Sequence, residues 1–176
     1  MIRINQNKLL NSLFSFFPLI LLFISVLNDF DFNYLGLKFF SFNFAHILIF
    51  FWTLKKIKHF GYGMVFIAGL INDVVNGIPM GVSSMSYMII CVFGSYLRHI
   101  TLRPSLIKDW LFFLITISII NTVTFLVLTL FFKIQIEYFN ILVNTFFTFI
   151  LYIFFSYIFT IYRNNFIGEF YDNWEQ

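Results

Sequence analysis

The chain has 176 residues, of which 60% are hydrophobic, 23% aromatic and 11% charged. Soluble domains carry about 25% charged residues, so this composition excludes an ordinary water-soluble domain and predicts an integral membrane protein. The net charge of +3 comes from scattered basic residues, which is not the clustered pattern of a nucleic-acid-binding protein. A single cysteine, Cys91, excludes an intramolecular disulfide and a metal cluster built from thiolates.

Six apolar segments approach the roughly 20 residues that an α-helix needs to cross a bilayer. They cover about residues 9–27, 38–54, 60–76, 81–97, 107–132 and 138–162. The sequence therefore predicts an all-α membrane protein whose residues 1–162 form six transmembrane helices in one compact bundle. The second segment ends in Phe50, Phe51 and Trp52, an aromatic group typical of the membrane interface.

Basic residues divide unequally between the two sides of such a bundle. With the N-terminus inside, nine lie in cytoplasmic segments and two, Lys38 and Lys133, lie outside. The positive-inside rule then predicts that both termini are cytoplasmic. Residues 163–176 are expected to form a short amphipathic tail, which either lies flat on the membrane or docks a cytoplasmic partner.

Asp73 is interpreted as the only acidic residue inside a membrane-length apolar segment. Burying a carboxylate in a bilayer costs about 2.5–3.5 kcal/mol on insertion scales, so its presence needs a reason. Gly69, Asp73 and Gly77 recur every four residues and share one helix face. Pro79 and Gly81 follow in a short turn that leads to the next segment.

Three interpretations of Asp73 stay open. It could relay protons or ions, it could pair with another helix or protein, or it could brace the hairpin. As a brace it would accept hydrogen bonds from Asn76 or from backbone amides freed at the turn. The lack of a second intramembrane charge favours the brace. The candidate structural or partner-contact residues are Gly69, Asn72, Asp73, Asn76, Gly77, Pro79, Gly81 and Trp52.

The last two segments contain fewer polar residues. Asn121 and Thr122 lie mid-span in the fifth, and Asn140, Asn144 and Thr148 form a stripe on the sixth. Hydrogen bonds between helices are the expected role, with a small polar cavity as the alternative. The sequence has no catalytic triad, phosphate-binding loop or metal-ligand spacing, so we expect neither an enzyme nor a bound cofactor or metal.

Residues 69–81, which read Gly-Leu-Ile-Asn-Asp-Val-Val-Asn-Gly-Ile-Pro-Met-Gly, resemble a family motif. The motif is the G-L-x-x-D-x-x-x-G-x-P-L-G segment of the bacterial rod shape-determining protein MreD family. The length, the six segments, the Phe51–Trp52 pair and the basic residues after it are also similar to that family. Met80 departs from the usual leucine, and the chain is richer in Phe and Asn.

The resemblance implies a multi-pass protein of the bacterial cytoplasmic (inner) membrane. It would be a non-catalytic scaffold of the elongasome, the cell-elongation complex that builds lateral peptidoglycan. The implied partners are an MreC-like protein, an MreB-like filament protein, a SEDS glycosyltransferase and a penicillin-binding transpeptidase. The implied fold is similar to the substrate-binding subunits of energy-coupling-factor transporters.

Two other functions are considered. The first is a vitamin-binding subunit of an energy-coupling-factor transporter, with an outward-facing cavity lined by Asn72, Asp73 and Asn76. The second, weaker one is a proton-coupled carrier that uses Asp73.

Overall fold

The computed structural model describes residues 16–27, 41–55, 60–101, 105–134 and 137–166. These residues form six α-helices and no β-strand. The helices are α1 (Phe16–Leu27), α2 (Phe44–Lys55), α3 (Tyr62–Asn76), α4 (Val82–Ile100), α5 (Leu106–Leu130) and α6 (Tyr138–Phe166). The prediction of an all-α chain is confirmed.

Two of the helices, α5 and α6, are long and apolar enough to cross a membrane. Helices α1, α2 and α3 are apolar but have between 10 and 17 residues. The described helix ends lie within about three residues of the predicted ones at α3, α4 and α5. Helix α2 begins six residues later than predicted, and α6 ends at Phe166 instead of residue 162. The expected start of the first segment and residues 167–176 of the expected tail lie outside the described residues.

Helix α2 begins at Phe44, although the apolar pattern predicted a start near residue 38. Residues 41–43 are not helical. The Asn43 side chain accepts a hydrogen bond from the His46 N–H at 3.3 Å, so it caps the helix. An asparagine N-cap of this kind accepts a hydrogen bond from one of the backbone N–H groups in the first turn, which have no partner within the helix.

The polar stripe of α6 supports this non-helical segment. The Asn144 amide donates to the Ser41 hydroxyl at 2.9 Å, and the Asn43 N–H donates to the Thr148 hydroxyl at 3.0 Å. Backbone outside a helix needs partners of its own, and the Asn43 N–H has one in Thr148. Two members of the predicted stripe therefore bond to another segment, whereas Asn140 bonds to nearby Glu137.

Helix α2 is the centre of the bundle, because eleven of its twelve residues are buried. Helix α6 runs parallel to it, with Phe50 against Tyr152 and Trp52 against Phe159. Trp52 is 1% exposed, so its side chain packs inside the bundle and does not face the membrane interface as expected. Helices α4, α5 and α6 contact α2, and the aromatic side chains of α2 lie in the core.

Helix α4 also runs parallel to α2, and it is antiparallel to α3 and α5. A glycine allows the close contact between α4 and α2: a Cβ at Gly94 would lie 3.2 Å from Cγ2 of Thr53. The Thr53 hydroxyl contacts the sulfur of Cys91 at 3.6 Å. This alternation places the end of α2, the end of α4 and the start of α5 at one end of the bundle.

Candidate functional site

Helices α3 and α4 form a hairpin, and α3 ends in a Schellman motif. The Ile78 N–H donates to the Asp73 carbonyl oxygen at 3.1 Å, and the Gly77 N–H donates to the Val74 carbonyl oxygen at 3.4 Å. Gly77 has φ 63° and ψ 25°, the left-handed conformation that this motif requires. Glycine adopts this conformation without the steric cost that a Cβ adds.

The side chain of Asp73 is fully buried and caps the next helix. Its Oδ2 accepts a hydrogen bond from the Gly81 N–H at 2.7 Å, and its Oδ1 accepts one from the Ser83 N–H at 2.8 Å. The first N–H groups of a helix have no partner within it and carry partial positive charge, so a carboxylate there is stabilising. One residue therefore closes α3 through its carbonyl and begins α4 through its carboxylate.

These contacts correspond to the bracing interpretation of Asp73. Among the described residues, both donors to the carboxylate are backbone amides, and Asn76, the other expected donor, is exposed. Asn72 instead donates to the Ser83 hydroxyl at 2.8 Å. With 0% exposure and both oxygens bonded, the carboxylate has no contact with water in this conformation.

Glycine at position 69 lets the two helix backbones touch. A Cβ at Gly69 would lie 2.5 Å from the Cα of Ser84, which is far inside van der Waals contact. The Ser84 hydroxyl donates across the helix interface to the Phe66 carbonyl oxygen at 3.1 Å. Such small residues allow close helix packing within membranes.

The turn completes the arrangement. Pro79 accepts a hydrogen bond from the Val82 N–H at 3.4 Å. Gly81, the N-cap residue of α4, has φ 102°, which favours glycine. The hairpin thus brings together most of the candidate residues. Trp52 is not among them, and its 1% exposure leaves no surface for contact with a partner.

A second buried carboxylate lies at the opposite end of the bundle. Asp109, the fourth residue of α5, is 3% exposed, and its Oδ2 lies 3.8 Å from the Nζ of Lys55. The interpretation of Asp73 as the only acidic residue in an apolar segment is therefore wrong. Asp109 falls within the predicted segment 107–132, so a count of its charges would have found it.

Arg98 adds a further contact at this end. Its guanidinium donates to the Thr53 carbonyl oxygen at 2.9 Å. The last carbonyl groups of a helix lack partners within it, so a cationic side chain there is stabilising. We call this region, defined by Lys55, Arg98 and Asp109, the Asp109 end. The region around the turn after α3 is the hairpin end.

No group of three or more His, Cys, Asp and Glu side chains that could hold a metal ion occurs in the described part of the chain. The sequence matches no family model, and neither a curated protein nor a solved structure is significantly similar to it.

Proposed function

We propose that the chain is a multi-pass protein of the bacterial cytoplasmic membrane, with six transmembrane helices and both termini in the cytoplasm. The exposed apolar surface supports this. Only 28% of the apolar window of α5 and 17% of that of α6 are buried, whereas a core helix of a soluble protein would be mostly buried. Soluble monomers rarely expose contiguous apolar patches above a few hundred Å². We therefore propose that lipid covers the exposed apolar surface of α5 and α6.

The short central helix fits the same arrangement. Twelve residues of α-helix are about 18 Å long, less than the roughly 30 Å of a bilayer core. Irregular backbone is tolerated at membrane depth where protein surrounds it. Thr148 of α6 satisfies one backbone N–H of this segment, that of Asn43, and Asn144 of α6 bonds the Ser41 side chain.

The positions of the described basic residues support the proposed orientation. Lys55, Arg98 and Arg163 lie near the Asp109 end, since α2, α4 and α6 all end there. Lys133 follows the end of α5 and lies on the other side of the bundle. By the positive-inside rule, the Asp109 end faces the cytoplasm and the hairpin end faces outward.

The proposed role is that of a non-catalytic scaffold of the MreD type in the cell-elongation complex. The observation that carries it is the engagement of the Asp73 carboxylate by two amides of α4. The residues on which the resemblance rests, above all Gly69, Asp73, Gly77 and Gly81, build one hairpin. A motif that specifies a hairpin fits a protein that presents surfaces to an MreC-like protein, an MreB-like filament and the wall synthases.

No described contact favours the vitamin-binding alternative. The Asn72 and Asp73 side chains bond to α4, and two hollows of the bundle that lie along α5 and α6 are lined by neither residue. This alternative can be tested by measuring the unfolding temperature of the protein with each of a panel of vitamins. A clear shift with one vitamin would favour it over the scaffold.

The scaffold proposal is tested by depleting the protein in the bacterium that encodes it. We expect depleted cells to lose their rod shape and a tagged copy to co-purify an MreC-like protein. A wild-type copy should restore the shape, whereas Asp73→Leu should not. Gly63→Ala is the control, since a Cβ there meets nothing within 4 Å. Cells that stay rod-shaped, with no MreC-like protein recovered, would overturn the proposal.

A further inference from the structure

The Asp109 end carries an excess of positive charge. Its described residues include one acidic side chain, that of Asp109, and four basic ones, those of Lys55, Arg98, Lys108 and Arg163. The carboxylate is already paired with Lys55, and the guanidinium of Arg98 donates to a backbone carbonyl oxygen. Positive charge therefore remains at this end without a counter-charge among the described residues.

Arg163 is the basic residue with the most bonding capacity left. Its guanidinium has five N–H donors, and the one acceptor it contacts among the described residues is the Asn164 Oδ1, at 3.5 Å. The positive charge of Arg163 also acts on the ammonium group of Lys55, so the two cations repel each other. Arg163 is only partly buried, so an anion can reach it. An anion bound near Arg163 and Lys55 would offset their repulsion.

An apolar hollow of about 490 Å³ begins beside these charges. It lies between the start of α5 and the last third of α6, and it is lined by Leu106, Trp110, Ser156 and Tyr157 among others. Its rim is open, since Tyr157 is 63% exposed. Arg163 follows Ser156 by two helical turns on the same face of α6, a rise of about 10 Å. Arg163 therefore lies just beyond the outer end of the hollow.

The charges and the hollow together match the two parts of an anionic phospholipid. Basic residues at the cytoplasmic surface of a membrane attract anionic headgroups, and an acyl chain needs an apolar surface below its headgroup. The headgroup regions add roughly 5–8 Å to each side of the bilayer core. The rise from Ser156 to Arg163 therefore places the guanidinium at headgroup depth when the hollow lies among the chains.

Other occupants fit less well. A soluble anion would use the positive charges but leave the open apolar hollow uncovered. A second copy of this chain would bring its own Arg163 and Lys55 to the same surface, and juxtaposed like charges are unfavourable.

We propose that the Asp109 end binds an anionic phospholipid, with the phosphate at Arg163 and Lys55 and one acyl chain in the hollow between α5 and α6. The inference rests on the membrane location in the proposed function, but not on the role in cell elongation.

The test uses Trp110 as the reporter, because it lines the hollow and is only partly buried. Bromine atoms on an acyl chain quench the fluorescence of a tryptophan that they touch. The full chain with Trp174→Phe, whose other tryptophan, Trp52, is buried, is placed in phosphatidylcholine vesicles. Brominated phosphatidylglycerol or brominated phosphatidylcholine is then added in equal small amounts. We expect the anionic lipid to quench Trp110 at an about fivefold lower mole fraction, the effect of about one basic residue near a membrane surface.

Arg163→Gln should remove most of this preference, and Arg163→Lys should retain it. Quenching by brominated phosphatidylcholine should stay the same in both variants, which shows that the hollow is intact. The matched control is Lys133→Gln, which removes one positive charge beyond the other end of α5 and should retain the preference. If Arg163→Gln does not fold, raising the salt to about 1 M tests the same charge, because it shortens the Debye length to about 3 Å and should abolish the preference.

Equal quenching by the two lipids would overturn the inference, as would a preference that survives Arg163→Gln or is lost with Lys133→Gln. Quenching by neither lipid would show that protein covers the hollow and would overturn it too. Relief of quenching by inorganic phosphate, beyond that by chloride at equal ionic strength, would assign the charges to a soluble anion instead. A preference seen only in Glu169→Gln/Asp172→Asn/Glu175→Gln would assign them to the acidic residues of the chain's own tail.

These outcomes can be told apart from failure of the proposed function. A chain that inserts into the vesicles but shows no lipid preference would refute the lipid site alone. A chain that does not insert would refute the membrane location and the site with it. A lipid preference in a protein whose depletion leaves cells rod-shaped would refute the role in cell elongation and leave the lipid site in place.

Discussion

The two buried carboxylates, Asp73 and Asp109, lie at opposite ends of the bundle and are stabilised in different ways. Asp73 is bonded to backbone amides that follow it by eight and ten residues. Asp109 faces the side chain of Lys55, which precedes it by 54 residues, the difference between their numbers. One carboxylate is held by the next helix along the chain, and the other is held by packing of distant segments.

The comparison shows how a buried charge can be stabilised with or without a counter-charge. Backbone amides at a helix start are fixed by the helix itself, so Asp73 needs only that α4 forms. The Asp109–Lys55 pair needs two side chains to meet, and desolvation of both opposes the attraction between them. We therefore expect a larger effect from replacing Asp73 than from breaking the Asp109–Lys55 pair.

Asp73→Leu should have the largest effect. It removes the acceptors of two amides, at about 1–3 kcal/mol each, so the free energy of unfolding should fall by about 2–6 kcal/mol. Asp73→Asn keeps one acceptor oxygen and should lose about half as much. Unfolding in mild detergent by added dodecyl sulfate, followed by the fluorescence of the three tryptophans, measures both. Equal losses for the two variants would contradict the role of Asp73 as a brace.

Gly69→Ala tests the backbone contact in the same hairpin. The added Cβ meets the Ser84 backbone, which cannot rotate away, so we expect a loss of about 1–3 kcal/mol. Gly63→Ala in the same helix adds a methyl group in open space and should be neutral or stabilising by up to about 1 kcal/mol. The same unfolding assay compares the two, and a Gly69→Ala protein as stable as Gly63→Ala would refute the close approach.

Lys55→Met should weaken the Asp109 end by about 1–2 kcal/mol. This is less than the 3–5 kcal/mol for breaking a fully buried pair, because Lys55 retains 14% side-chain exposure and the contact is 3.8 Å long. The double variant Lys55→Met/Asp109→Asn leaves no unpaired charge and should be more stable than Lys55→Met alone. A double-mutant cycle measures this coupling, and additive losses would mean that the two side chains do not interact.

Gly77→Ala should have the smallest effect of the series. Alanine at φ 63° costs about 1 kcal/mol relative to glycine, and no neighbouring atom crowds the added methyl. Gly61→Ala is the control, since Gly61 has φ −81°, which any residue adopts. Thermal denaturation in detergent compares the two proteins. A lower midpoint for Gly61→Ala than for Gly77→Ala would argue against the left-handed turn.

The hairpin could be predicted from the sequence because its signals are local. Gly69, Asp73 and Gly77 share a face at a spacing of four, and the turn residues follow directly. The contacts of Asp109 could not be predicted, because nothing in the pattern pairs it with Lys55. The apolar pattern shows where the helices are and which of their faces are apolar. It does not show which helix lies at the centre of the bundle. That is why Trp52 was placed at the membrane interface instead of in the core.

The start of α2 was missed for a related reason. Residues 41–43 read Ser-Phe-Asn and lie inside an apolar run that begins near residue 38. The partners of Ser41 and Asn43, which are Asn144 and Thr148, come about a hundred residues later. The sequence shows the polar stripe on α6 without showing what it bonds. Such tertiary contacts override local helix propensity.

The double use of Asp73 has a consequence for how the chain would enter the membrane in which we propose it lies. If α3 entered the bilayer alone, its carboxylate would be buried without the amide donors of Gly81 and Ser83. The cost of inserting that charge is relieved only when the first turn of α4 has formed beside it. On the proposed location, helices α3 and α4 should therefore insert together as one hairpin.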